Sequence, residues 1–449
     1  MTDPGAPRWR FPRRLSAISL AALAVRIGYT LVVGPRLSVG FDALWYELQA
    51  GTLAAGHGYV DPDAFYRTGT AVATANFPPL WPALLAAANR LGVDTELGYA
   101  LVGAVVGTVT VPVAALIGRR VAGPAVGLVA AALVALSPAL VAADGSLMAD
   151  SLYVLALALA TLAALRAQSL PTPGRFALMG VTLGVAALAR SDALIVAPVL
   201  VAATAWAARE PVGRRRVALG GLALAGTVAV VLPWSVLASV RLGSPVVVSS
   251  NSASLLEGAN CATTYAGDLL GAWDPGCLVE TRRPGVREAD WAGAARAAGL
   301  AHALDHPGRL PVVVAVRVLR AWGLWAPLQQ ARLDVDETRH RDWQVGSWVA
   351  GLALSAVALP GAVLLARRAG RAAAPLAAVV GGSTVVVALS WGNPRFLLAA
   401  VPALAVSAAT TIVVTVSGVA EGRHRLDAGR APGARRWRPP TRTPSRRPG

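Results

Sequence analysis

The 449-residue chain is 55% hydrophobic and only 14% charged, against about 25% charged in soluble globular proteins. That composition excludes an ordinary soluble domain and predicts an all-α polytopic membrane protein. The formal net charge of +17 comes from arginine without a lysine. It lies in short loops and the tail, as topology signals do, and gives no reason to expect a nucleic-acid partner.

Residues 1–14 are polar and basic (Arg8, Arg10, Arg13, Arg14) and are expected on the cytoplasmic side. Leu15–Gly34 is long enough to remain as an uncleaved anchor. It contains Arg26, which should face protein or the interface rather than lipid. Residues 35–76 form the first outer loop, with Asp42, Glu47, His57, Asp61, Asp63 and Arg67. Phe77–Leu91 is apolar but short, and reads as a helix on the outer interface or half of a re-entrant hairpin. Further spans are expected at 97–118, 124–143, 151–165, 176–189, 193–208 and 217–240, all within an N-terminal core of residues 15–240. Residues 241–344 form a large extracytoplasmic loop, closing with a second interfacial helix at 311–325 that carries Arg317 and Arg320. Spans at 345–366, 372–391 and 396–418 follow, and 419–449 read as a basic, disordered cytoplasmic tail. This makes about ten spans plus interfacial helices. The clusters Arg119–Arg120, Arg214–Arg216 and Arg367–Arg371 fall on one side, the acidic turns on the other.

Charges lie tight against the outer span ends: Asp42, Asp144, Asp150, the pair Arg190 and Asp192, and Asn393 with Arg395. Acid and base at one depth suggest a shared cavity open to the outside. The competing reading makes them helix caps and ion pairs, with Asp42 capping a loop helix at 43–55. In a cavity, a carboxylate can take the proton of an acceptor hydroxyl. Arginine offers a planar fork to a phosphate that gains charge as it leaves. An apolar groove beside them would hold a lipid tail.

Several motifs carry a resemblance as well. They are Phe-Asp-Ala-Leu-Trp-Tyr at 41–46, Phe-Pro-Pro-Leu-Trp-Pro at 77–82 and Asp-Gly-Ser-Leu-Met-Ala-Asp-Ser-Leu-Tyr at 144–153. Ala-Leu-Ala-Arg-Ser-Asp-Ala-Leu at 187–194, a Ser/Asn-rich stretch at 249–261 and Gly-Asn-Pro-Arg-Phe at 392–396 complete the set. In order and placement the chain resembles the actinobacterial GT-C membrane glycosyltransferases, related to protein O-mannosyltransferases and the lipid A aminoarabinose transferase. The resemblance implies a GT-C-like fold and sugar transfer from a polyprenyl-phosphate donor to an extracytoplasmic glycan, lipid or protein. It implies Asp42 and Asp150 as catalytic acids and Arg395 as the phosphate or substrate contact. Asn393, Arg190, Tyr46 and Glu47 join them as candidate substrate contacts. Related chains often have histidine where Glu47 and Phe77 stand here. Need for a divalent metal ion is therefore open, and the loop residue His57 is a weak substitute. A transporter or flippase for lipid-linked sugars and an inactive assembly partner are the alternatives. The first is disfavoured by the lack of an internal repeat.

Cys261 and Cys277 lie in the large loop. On an oxidising face they are expected to pair, the alternative being two free thiols.

Overall fold

The computed structural model describes residues 10–209, 213–278 and 286–430. Among the described residues the chain is helical, with an isolated bridge between Val60 and Ala73 and no strand. Helix α1 (Arg10–Val32) is followed by α2 (Phe41–Ala54), α3 (Pro62–Thr68) and α4 (Leu80–Arg90). Next come α5 (Glu96–Ala122), the pair α6 (Pro124–Ala135) and α7 (Pro138–Asp144), α8 (Asp150–Ser169), α9 (Pro173–Ala189), α10 (Ala193–Ala207) and α11 (Arg214–Leu242). The polar segment holds α12 (Asn251–Ala259), α13 (Ala262–Tyr265), α14 (Glu288–Asp305), α15 (Leu310–Ala321) and α16 (Pro327–Leu333). Helices α17 (Arg341–Ala369), α18 (Ala374–Leu389) and α19 (Val401–Arg430) close the chain.

The expected spans fall on these helices, with 124–143 divided between α6 and α7 and 396–418 entering α19 from a 3-10 turn at Pro394–Ala400. Among the described residues six stretches are long and apolar enough to cross a membrane, one of them running through α17 and α18, and α6 with α7 makes up to seven, against the ten expected. Helices α9 and α10 are shorter apolar helices, yet Phe176, Met179, Leu183, Val196 and Leu200 are fully buried. The expected disordered tail meets α19, which continues to Arg430; the rest of that tail, and Arg8, lie outside the described residues.

The bend between α6 and α7 measures 58° and has a local cause. Pro138 has no N–H for the Val134 carbonyl four residues back, so the helix breaks there. Arg26 takes the freed carbonyls, donating from Nη1 to Ala135 at 3.1 Å and from Nη2 to Val134 at 3.5 Å. Its Nε donates to Asp144 Oδ2 at 2.7 Å. Gly107 of α5 lies against the Asp144 carboxylate, where a Cβ would collide with it. The charge inside the first span is thus fully paired in protein, and Asp144 is its partner rather than a free loop acid.

Helix α4 packs on α2. Trp81 and Leu85 are fully buried with Trp45, Tyr46, Phe77 and Met148, and Trp81 Nε1 donates to the Leu147 carbonyl at 2.8 Å. This cluster joins the first loop to the 144–150 turn at one end of the bundle. Helix α15 turns its two arginines inward: Arg317 and Arg320 are buried and donate to loop carbonyls of Ala259, Leu270 and Asp268. Cys261 and Cys277 form a disulfide.

Candidate active site

Asp42 lies in the first turn of α2, but Gly40 is the N-cap and no side-chain cap bond forms. The capping alternative therefore does not describe it; the carboxylate faces Arg395 Nη1 at 3.6 Å. What sets this position is a contact across the chain. Gly40 N–H donates to Thr338 Oγ1 at 2.8 Å, and a Cβ on Gly40 would run into the Asp336 carbonyl. Thr338 is buried with φ of 59°, a strained conformation for a β-branched residue, which the bond to Gly40 helps to hold. Gly40→Ala should displace Asp42 while leaving the bundle folded. A shift near 1 Å costs about 10²-fold in rate, to be read as turnover beside an unchanged thermal unfolding curve.

Asp150 is the hub. It starts α8, where the helix N-terminus favours negative charge, and it is buried. Arg190 Nη1 donates to its Oδ1 at 2.6 Å, Arg339 Nη2 to Oδ2 at 3.0 Å and Arg395 Nε to Oδ2 at 2.9 Å. Arg190 comes from the C-cap of α9 and also donates to Asp192 at 2.8 Å. The arginine ahead of α19 has Asn393 to fix it: Asn393 Oδ1 accepts from the Arg395 backbone N–H at 2.8 Å. Asn393 Nδ2 in turn donates to Glu337 Oε1 at 2.9 Å, and Glu337 lies 3.8 Å from Arg395.

The two carboxylates that border Arg395 differ from Asp150. Asp42 keeps 32% of its side chain open, and burial of the rest pushes its pKa above the usual carboxylate value despite Arg395 and Arg190. Burial pushes Glu337 up to about 7, Arg395 opposing. Asp150 has its oxygens filled by guanidinium donors, and of the other two acids Asp42 is the more open.

Asp42, Asp150, Arg190, Asn393 and Arg395 thus come together as one cluster. Tyr46 stands next to it, one turn on from Asp42, its ring tilted against that of Phe77 with centroids 4.9 Å apart. Glu47 does not join it: its charged neighbour is Glu96, and burial with that charge raises its pKa. His57 packs on Phe65 at 4.4 Å, also away from the cluster. Arg339 and Glu337 were not singled out from sequence. Their signal was present in Asp-Val-Asp-Glu-Thr-Arg-His-Arg, 334–341, a charge-dense run tight against a span. Among the described residues no group of three His, Cys, Asp or Glu side chains is arranged to hold a metal ion, and the central carboxylate already faces three cations.

From Arg395, Arg339 and Glu337 a narrow cleft of about 130 Å³ runs between α15–α16, α17 and the start of α19. Along α17 it is lined from Gln344 to Ser355, about 16 Å at 1.5 Å per residue. Leu352, Leu354, Leu397, Leu398, Val401 and Leu404 make it apolar away from the charged end.

Residues 76–237 match the family model described as dolichyl-phosphate-mannose-protein mannosyltransferase. The fold is similar to that of the archaeal oligosaccharyltransferase AglB from Archaeoglobus fulgidus in complex with an inhibitory peptide and a dolichol-phosphate. The identity is 16% and the TM-score 0.56, covering 95% of this chain and 52% of that one. The apo form of the Archaeoglobus fulgidus oligosaccharyltransferase gives 15%, 0.57, 95% and 53%. ArnT from Cupriavidus metallidurans bound to undecaprenyl phosphate gives 18% and 0.42, covering 88% and 76%. No curated protein matches the chain. The chain spans about half the length of the archaeal protein. It has the GT-C-like fold expected from its motifs, and residues 76–237 match a mannosyltransferase family model.

Proposed function

We propose that the chain is a membrane glycosyltransferase, moving one sugar from a polyprenyl-phosphate donor to an acceptor on the extracytoplasmic side. The observation that carries this reading is the position of Arg395. It has an open carboxylate, Asp42, at 3.6 Å, and it lines the charged end of a cleft that turns apolar beyond it. A lipid tail lies in the cleft and its phosphate meets Arg395 and Arg339, held in place by Asp150. The acceptor enters beside Asp42, which is not part of the cleft wall. Its oxygen attacks the anomeric carbon, its proton passes to Asp42, and the bond from carbon to phosphate oxygen breaks with its electron pair on the phosphate. Attack opposite the leaving group inverts the configuration. Asp150 is a positioning residue in this scheme. The fold likeness and the family segment agree with such chemistry, and the archaeal and Cupriavidus proteins are described with dolichol-phosphate and undecaprenyl phosphate.

The test is transfer from radiolabelled polyprenyl-phosphate sugars by purified protein in liposomes. Release of polyprenyl phosphate with sugar on an acceptor is expected; no turnover with any hexosyl or pentosyl donor, by protein that is folded, overturns it.

Glu337 gives the donor site a pH dependence. Its pKa in the folded chain, about 7, exceeds the ordinary 4.5. The neutral form is therefore favoured by folding, and that stabilisation is lost as pH rises through 7. A bound phosphodiester adds negative charge beside Arg395 and favours neutral Glu337 further. Affinity for the lipid phosphodiester should fall as pH rises through 7, and Glu337→Gln should flatten the dependence, measured by titration between about pH 6 and 8.5.

A further inference from the structure

A polar pocket in the cleft wall takes no part in the steps above. Asp334 is buried, and both its oxygens accept from glutamine amides, Gln330 Nε2 at 2.8 Å and Gln344 Nε2 at 2.8 Å. Because a carboxylate only accepts, it fixes which way each amide points. Both glutamine carbonyl oxygens are then left over, and neither Gln330 Oε1 nor Gln344 Oε1 has a partner among the described residues. Ser347 Oγ, three residues on from Gln344 and so on the same face of α17, has none either, and nor does Arg320 Nη1. All of these residues line the cleft, as does Trp348. Gln330, Ser347 and Arg320 are each more than nine-tenths buried.

Unpartnered buried polar atoms are costly, because each has given up its bonds to water without gaining others. Nothing in a lipid tail would satisfy them. Two fixed acceptors need hydroxyl donors, a free guanidinium N–H needs an oxygen acceptor, and the serine can serve as either. An indole beside such a set offers an apolar face. Together these are the complements of a sugar ring. Gln344, Ser347 and Trp348 stand in the first two turns of α17, Gln330 on α16 and Arg320 on α15, and all line the cleft that Arg339 and Arg395 also line.

We propose that Gln330, Gln344, Ser347 and Arg320 hold the sugar of the donor by its hydroxyls, with Asp334 as the positioning residue that sets the two amides. This rests on the sugar-transfer reading, and it adds where donor selectivity resides: an underivatised, hydroxyl-bearing sugar is read on the cleft side of Arg395, away from Asp42.

Direct binding separates this from transfer. Affinities of the full chain for bare polyprenyl phosphate and for polyprenyl-phosphate mannose, glucose and arabinose are compared. Wild type should bind at least one glycosylated lipid more tightly than the bare one. Gln344→Leu should lose that preference, about ten- to a hundredfold, while its affinity for bare polyprenyl phosphate stays put. Ser347→Ala, which removes a hydroxyl with no partner among the described residues, should reduce the preference without a change in thermal unfolding. Wild type that binds all these lipids alike overturns the pocket, as does an equal loss for bare and glycosylated lipid or unaltered preference in both variants. If the sugar preference is present and the variants remove it, but no transfer occurs, the pocket stands and the transferase reading fails.

Discussion

Asp42→Asn should lower turnover by about 10²- to 10⁴-fold, the range typical of losing a general base, while donor affinity changes little. The reason is the contrast between the two central acids. Asp150 is buried and filled by three arginines; Asp42 has one long contact and an open flank. A base must be ionised to work. Burial holds the pKa of Asp42 above its ordinary value, so its protonated form persists to higher pH than in a free aspartate. Activity should therefore rise with pH along a limb displaced upward from the usual carboxylate range, and that limb should be absent from the residual rate of Asp42→Asn. Arg395 is among the groups that hold the pKa of Asp42 down. A donor phosphate competing for that cation should push the limb higher in the saturated enzyme than in the free one. The measurement is a pH profile of both kcat and kcat/KM. A variant with unchanged turnover, or a limb that survives the substitution, removes Asp42 from the chemistry.

The helices and their order were legible because apolar runs separated by arginine clusters leave few alternatives. The acid at Asp42, the acid at Asp150 and the arginine at Arg395 were legible for a related reason: each stands where a polar residue has no reason to be unless paired. What the pattern did not contain was the pairing itself. Arg339 meets Asp150 across 189 positions, from a loop without periodicity, and no local rule connects them. The same holds for Arg26 and Asp144, whose meeting depends on a break at Pro138. Glu47 illustrates the opposite error. It lies close to Asp42 in sequence, yet five residues along a helix turn a side chain about 140° away, whereas Tyr46, four along, stays on the same face.

The largest stability effect should come from Asp150→Asn. The substitution keeps the size of the side chain and removes the charge on which Arg190, Arg339 and Arg395 converge. The new amide also presents N–H donors to guanidinium donors. Breaking a buried ion pair from one side costs about 3–5 kcal/mol, because the partner charge stays behind; here three stay, and Asp192, Asp42 and Glu337 offset them in part. Thermal unfolding of the purified protein should shift downward accordingly, with activity lost. The design that separates repulsion from simple loss of contact is a pair of double variants. Asp150→Asn with Arg339→Gln, and Asp150→Asn with Arg395→Gln, should each regain part of the lost stability, since each removes one stranded cation, giving a coupling energy of the sign expected for contacting residues. Activity should return in neither, and phosphate affinity should fall furthest where Arg395 is gone. If Asp150→Asn unfolds with wild type, or if the double variants are additive, the three arginines are not held by Asp150 and the phosphate clamp must be organised in some other way.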